Sequence, residues 1–585
     1  MNKPKSTNYR STHTGILAGK AELVLVNARI YTVNPEQPWA DCVAIKDGQF
    51  IAVGNRETMT PHIDQHTKVV DLQGRFAMPG LYDMHTHPDL TLAPDYSGYL
   101  DVGLDSPTPE EVKQTIVDYA EAKPDEEWIY GQYFVHFTFR QAGLKAGKEW
   151  LDSIISDRPI AILDRSWGSM MVNSKALALA RITADTPDPG NGYIERDSIT
   201  GEPTGILVDG AYALIHGAMP PTPMHALLRA YREGMQYQSS RGVVATKYVH
   251  VCEHRLNALS TLDKAGEMTL RVEAAISWQD DIFPVKRRWE LIAGERHYYR
   301  SARFNANAVK FHFDGVHETQ SSYLSTPWPG ESTWRGSLNM TPEHICDMVV
   351  DLDRKGIRVI AHCTGDGSSD LFLDAVAEAR RLNGPNGMRH QCAHSTLLME
   401  ENLVRFNALD VTAEFSPVLW YPSDFSYART KAGEERIKNI YNFKGVIDAG
   451  GNAVMGTDWP VANINPWVGF ETMITRKNPW GEREETFYGS TISIEQALRV
   501  MTINGAWSMG IDDKAGSIEV GKSADLIVLD RNLFDLEPQG NMHNTQVDVT
   551  LIEGQLVWDR LEQFKACGLT AVWHKDEVPE FYDKM

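Results

Sequence analysis

The chain has 585 residues, 42% hydrophobic and 23% charged, an ordinary globular composition in a length that one hydrophobic core rarely fills. Its formal net charge of −21 argues against nucleic acid and anionic membrane surfaces as partners, because both would repel it. Six scattered cysteines without a CxxC pair argue against a disulfide framework and fit a reducing cytoplasm.

Residues 1–21 are polar, hold no apolar core of a secretory signal, and read as a loosely ordered tail. No run of about 18 apolar residues offers a membrane span. Residues 22–75 are β-rich. After an apolar run from Leu23, two short apolar runs split by Lys46-Asp47-Gly48, one from Cys42 and one from Phe50, read as a hairpin, since Asp-Gly suits the positive φ of a tight turn. Residues 513–561 repeat that texture in Ala524-Asp-Leu-Ile-Val-Leu and Val549-Thr-Leu-Ile-Glu-Gly-Gln-Leu-Val-Trp. The two ends are expected to pair into one small β domain, with 562–585 as a C-terminal tail.

The middle, 76–512, alternates strand-like and helix-like segments. The expected strands are Phe76 to His85, Val243 to Val251, Leu270 to Trp278, Asn307 to Phe313, Arg358 to Cys363, Arg389 to Ala393, Val411 to Phe415 and Asn452 to Gly456. Eight strands separated by helices are the pattern of a (β/α)8 TIM barrel. Thr108-Pro109-Glu110-Glu111 and Thr341-Pro342-Glu343 give good helix starts. The stretch from about 90 to 235 is far too long for one crossover. It follows the C-terminal end of the first strand, where barrel active sites lie, and is expected to cap the pocket.

The strongest chemical signal is Pro79-Gly80-Leu81-Tyr82-Asp83-Met84-His85-Thr86-His87. Side chains two apart on a strand share a face, so His85 and His87 can address one cation. A lone HxH is also compatible with a solvated strand end. Four further groups shift the balance: Lys310, His362, His394 and Asp458 each end another expected strand. Ligand-type residues ending strands one, four, five, six and eight would converge at one barrel mouth.

This order resembles the amidohydrolase superfamily, and most of all its YtcJ-like branch (amidohydrolase family 3). The resemblance spans about residues 23–560 and includes Val172-Asn-Ser-Lys-Ala-Leu, Gly201-Glu-Pro-Thr-Gly and Gly516-Ser-Ile-Glu-Val-Gly-Lys-Ser-Ala-Asp-Leu-Ile-Val-Leu. It implies that the β-rich ends form a β-sandwich beside the barrel. It also implies one or two divalent ions, zinc being the expected metal. His85 and His87 would bind one ion with Asp458 nearby. His362 and His394 would hold the second, and an N-carboxylated Lys310 would bridge the two. A metal-activated hydroxide would then attack, with Asp458 as proton shuttle.

The chain departs from the family pattern in places. Relatives commonly read RHRIEH where this chain has Arg389-His-Gln-Cys-Ala-His, with Ala393 in the acidic place. Gly168 replaces a usual histidine, and Ser416 a usual glutamine. These changes leave the ligands intact and point to an unusual substrate. Trp167, Phe313, Trp420 and Trp459 lie near the same segments and suggest a pocket for an aromatic or hydrophobic molecule, with His312 a further substrate contact. The expected reaction is hydrolysis of an amide, cyclic amide or N-acyl bond in a small non-peptide molecule, by a cytoplasmic protein that is a homodimer if it follows its relatives. Ester or lactone hydrolysis, decarboxylation or isomerisation on the same centre stays open, as does a non-catalytic binding protein. Retention of all six polar residues argues against the last.

Overall fold

The computed structural model describes residues 19–90, 99–101, 107–164, 168–189, 192–279, 287–423, 426, 429–536, 541–562 and 564–573. Its centre is an eight-stranded parallel sheet with strands in sequence order. They are β1 (Leu81–Thr86), β2 (Val243–Val251), β3 (Arg271–Ser277), β4 (Phe304–His312), β5 (Arg358–His362), β6 (Gln391–Ala393), β7 (Thr412–Phe415) and β8 (Asn452–Met455). Most of these strands are buried along their whole length, as a sheet covered on both faces requires. The seam between β8 and β1 closes beyond the end of β8. There the Asp458 N–H donates to the His85 carbonyl and the His87 N–H to the Trp459 carbonyl, each at 2.8 Å.

The segment expected as one strand, Phe76 to His85, is two. Phe76–Pro79 belongs to a second sheet, antiparallel to Leu526–Leu529, and β1 begins only after Gly80. Gly80 is the handover: its N–H bonds to the Asp525 carbonyl while that of Leu81 bonds to the Gly242 carbonyl. The second sheet has six strands, Gln555–Asp559, Val547–Ile552, Leu526–Leu529, Phe76–Pro79, Arg29–Tyr31 and Trp39–Ala40 in spatial order. A four-stranded sheet, Gln49–Gly54, Cys42–Lys46, Leu23–Val26 and Lys68–Asp71, packs on it. Leu25, Val43, Ile45 and Phe50 from one sheet and Leu526, Val528, Val549 and Leu551 from the other form the apolar layer between them. Both chain ends therefore build one unit.

Between β1 and β2 lies a six-stranded sheet, ordered Gly192–Arg196, Pro203–Asp209, Ser169–Val172, Ile160–Asp164, Ile129–Phe134 and Tyr99–Asp101. Helices cover both of its faces. The helix α1 (Pro109–Ala122) starts on the expected capping box of Thr108 and Glu111 and buries Val112 and Ile116 on one face. Ala176 and Leu177 cover the other. The helix α2 (Met224–Ser240), which the expected insertion partly included, packs Leu227, Ala230 and Tyr231 into the barrel's own core. Its C-terminal end also meets the six-stranded second sheet, where the Thr550 hydroxyl donates to the Ser239 carbonyl at 2.8 Å. No described helix is long and apolar enough to cross a membrane.

The handover at Gly80 yields a test. A Cβ there would lie 2.2 Å from Cγ1 of Val244, a β-branched and fully buried neighbour with no room to retreat. Gly80→Ala should lower stability by about 1–3 kcal/mol through overpacking, measured as the urea midpoint. Combined with Val244→Ala, the total loss should be smaller than the sum of the two single losses, since one clash links them. Strict additivity would show that the clash is not what makes glycine necessary.

Candidate active site

The C-terminal ends of the barrel strands carry the expected groups. On β1 the alternation places His85 inward, with His87 just beyond the strand. Each ring is fixed through Nδ1: His85 to the Glu414 carboxylate at 2.8 Å, His87 to the Val249 carbonyl at 3.0 Å. With Nδ1–H donating, the Nε2 atoms carry the lone pairs, the tautomer a metal ligand needs. Both Nε2 atoms face Asp458 Oδ1, His85 at 3.6 Å and His87 at 3.3 Å. All three residues are buried, and their ligand atoms lie close enough together to share one cation.

Lys310, on β4, is fully buried with Nζ 3.2 Å from His85 Nε2. His394 Nδ1 lies 3.7 Å from Asp458 Oδ2, and the His394 ring is 4.4 Å from that of His362 and 4.6 Å from that of His85. His362 is anchored through Nε2 to the Gly315 carbonyl at 3.0 Å. The six proposed ligands, His85, His87, Lys310, His362, His394 and Asp458, all line one cavity of about 90 Å³. His312 lines it as well, its Nε2 3.1 Å from His250 Nε2, while His250 Nδ1 meets the Ser277 hydroxyl at 3.1 Å.

The electrostatics follow from burial. Desolvation, then Lys310 and His87, hold His85 well below the usual imidazole range, so it is neutral and able to ligate. His250 is lowered by burial and then by His312. Burial, then Asp458, push Glu414 up to about 8. Asp83 rises to about 6 by burial, opposed by the Thr457 hydroxyl and backbone N–H that donate to it at 2.7 and 2.9 Å. His250, His394 and Asp458 have left-handed backbones, with φ of 61°, 68° and 56°. Such strain costs roughly 1–2 kcal/mol per residue and gathers where function holds it.

A divalent cation fits this donor set. Two imidazoles and a carboxylate converge without an arginine among the described residues lining the cavity. One oxygen of Glu414, Oε1, is buried with no hydrogen-bond partner, as expected where the local charge balance is incomplete.

Phe313, Trp420 and Trp459, expected as substrate contacts, are not among the described residues that line the cavity. Phe313 packs on Phe311 and Phe372, with centroids 6.0 and 5.8 Å away. Trp420 stacks on Tyr441 at 5.1 Å beneath the Arg476 guanidinium. Trp459 is 1% exposed within the barrel core. Trp167 lies outside the described residues. The described apolar side chains in the wall are Tyr212, Val316 and Val461, and the remaining side chains are polar. The described wall is thus largely polar.

Sequence reading missed Glu414, Asp83, His250 and Asp314, and the insertion's Asp209. Glu414 is the lone charge in Val411-Thr-Ala-Glu-Phe, and Asp83 precedes His85 by the two-residue step of a strand face. Asp314 accepts from the backbone N–H groups of Tyr323, Thr364 and Gly365, pinning the loops that follow β4 and β5. Asp209 and Tyr212 come from the end of the insertion's sheet and line the cavity from above.

Comparison with known proteins agrees with this geometry. The chain is 26% identical over 528 residues to Protein LONG AFTER FAR-RED 3 of Arabidopsis thaliana, covering 88% of each chain. It is 25% identical over 551 residues to the N-substituted formamide deformylase of Arthrobacter pascens, covering 92% of this chain and 98% of that one. The fold matches the crystal structure of an uncharacterized metal-dependent hydrolase from Pyrococcus horikoshii with a TM-score of 0.69 at 22% identity, over 88% of this chain and 99% of that one. The profile of the amidohydrolase family matches residues 68–558, and the chain belongs to that family.

Proposed function

We propose that the protein hydrolyses a C–N bond, in an amide, cyclic amide or N-acyl group, of a small non-peptide molecule. The observation that carries this reading is the convergence of His85 Nε2, His87 Nε2 and Asp458 Oδ1 at a barrel mouth. Full-length similarity to a deformylase of N-substituted formamides supports the bond class. Six free thiols support a reducing compartment such as the cytoplasm.

His85, His87 and Asp458 would hold one cation, and His362, His394 and a modified Lys310 a second. Nitrogen and oxygen donors in this number suit zinc. A divalent ion bound there lowers the pKa of a water to about 7 and polarises a carbonyl. Asp458 would accept a proton from the attacking water and deliver it to the leaving nitrogen. The C–N bond breaks, the acyl carbon keeps the water's oxygen, and the amine departs with the proton. His312, held by His250, faces the same chamber and offers the substrate a hydrogen bond. The polar wall selects a small, hydrogen-bonding reacting end.

As an ammonium, Lys310 would donate to His85 Nε2 and compete with the cation. Reaction of its neutral amine with carbon dioxide, releasing one proton, gives a carboxylate able to bridge two cations.

Asp458→Asn keeps the shape and one oxygen but removes the base. It should retain most metal while kcat falls by at least about 10²-fold, the scale of general acid–base catalysis. His85→Ala and His87→Ala should lose metal and activity together. Metal content, kcat and KM, measured as amine or ammonia release from a panel of N-acyl amines and cyclic amides, decide the matter. Near-normal kcat in metal-loaded Asp458→Asn would move the base elsewhere, with His312 next to test. Metal-free protein turning over at full rate would end the reading altogether.

Lys310→Ala should hold at most one equivalent of zinc and lose most activity, and a short carboxylate such as propionate should restore part of both. Two equivalents bound by Lys310→Ala would exclude the carbamate bridge.

A further inference from the structure

Where the family pattern puts an acid, β6 has Ala393, whose methyl lies in a small apolar layer with Val249, Ala275, Ala308 and Ile360. The neighbouring strand supplies a carboxylate. The β6–β7 register pairs Gln391 with Thr412 and Cys392 with Ala413. One further step sets Ala393 level with Glu414. That side chain is wholly buried, and its Oε2 accepts from two proposed metal-binding residues: the His85 ring Nδ1 at 2.8 Å and the His394 backbone N–H at 3.2 Å.

We infer that Glu414 is the positioning residue of the metal centre, supplying from β7 the carboxylate that β6 lacks at Ala393. The inference rests on the metal-binding reading above. One carboxylate fixes two things at once. It holds the His85 proton on Nδ1, so that Nε2 is the ligand atom, and it clamps the left-handed backbone of His394, whose ring completes the other half of the centre. Room for it exists because position 456 is glycine. A Cβ there would sit 2.4 Å from His85 Cβ and 2.7 Å from Glu414 Oε1. A buried carboxylate is costly unless its bonds serve a purpose, and carboxylates behind metal-bound histidines typically contribute 10- to 100-fold to metal affinity.

The test is a zinc titration of chelator-stripped protein against a chromogenic competitor, with thermal unfolding of each metal-free variant as the folding control. Glu414→Gln, which keeps the volume, should bind the same number of equivalents as the parent with affinity about 10- to 100-fold weaker. Moving the acid back, Ala393→Glu with Glu414→Ala, should bind more tightly than Glu414→Ala alone. If Glu414→Gln does not fold, Glu414→Asp, which keeps the charge but withdraws it from His85, should show the same loss. Unchanged affinity would reduce Glu414 to packing. Loss of one whole equivalent would make it a direct ligand instead. A double variant no tighter than Glu414→Ala would refute the relocation. A parent chain that binds no zinc would overturn the metal reading itself, an outcome distinct from all of these.

Discussion

The site depends on the seam of the barrel. β8 ends at Met455, and the chain then turns through Gly456 so that Asp458 donates its N–H to the His85 carbonyl while Trp459 accepts from His87. Those two backbone bonds bring together residues more than three hundred positions apart in sequence. They also fix the distance between the imidazoles and the carboxylate, because main chain rather than flexible side chain sets it. Asp83 reinforces the seam from below, accepting from Thr457 N–H and hydroxyl and from His85 N–H. The left-handed backbone of Asp458 is tolerable here because the surrounding bonds over-determine it.

A barrel interior is usually filled with branched apolar layers, and this one is polar well below its mouth. Beneath the site Lys247 is fully buried, donating to the Gln391 carboxamide at 2.6 Å and the Ser508 hydroxyl at 2.9 Å, with Glu273 3.6 Å away and paired to Arg358. Burial drives Lys247 down to about 7. Charges in such a medium are destabilising unless each meets a partner. The interior is therefore arranged as a column in which each buried charge faces an opposite charge or a dipole. Lys310 and Glu414 continue that column upward, and the proposed cation would sit at its top, where carboxylates and imidazoles face one another.

Much of this was legible in the sequence, for a physical reason. Parallel strands buried on both faces must read as short apolar runs, so a polar residue ending such a run stands out, and His85, Lys310, His362 and Asp458 each did. Phe313 follows His312 at the end of β4, where neighbours on extended chain face opposite ways, so its ring packs on Phe311 and Phe372 while His312 lines the chamber. Glu414, Asp83 and His250 were hidden because their significance is a partner on another strand. His250 in particular needs His312 beside it, a meeting that no local pattern encodes. The break at Gly80 was hidden differently: Phe76 to Tyr82 carries no charged residue on either side of the glycine, and the contact with Val244 shows why the chain changes sheets there.

The division between barrel and insertion bears on what the protein accepts. Every proposed metal-binding group comes from the barrel, while the roof of the chamber comes partly from the insertion through Asp209, Gly210 and Tyr212. Asp209 has a left-handed backbone and takes a hydrogen bond from Ser321, and burial pushes it up to about 7. The two units touch at Gly315, where a Cβ would lie 2.0 Å from Ser321 Oγ and 3.2 Å from Asp209 Oδ1. The Gly315 carbonyl is also what anchors the His362 ring. A single loop residue thus faces the roof with its missing side chain and a proposed metal-binding histidine with its backbone. Substitutions in the insertion can reshape the roof while the barrel's bonds to the histidines stay intact, but a change at Gly315 would disturb both. On this wall Gly315 is thus shared between the insertion's Asp209 and the anchored His362 ring.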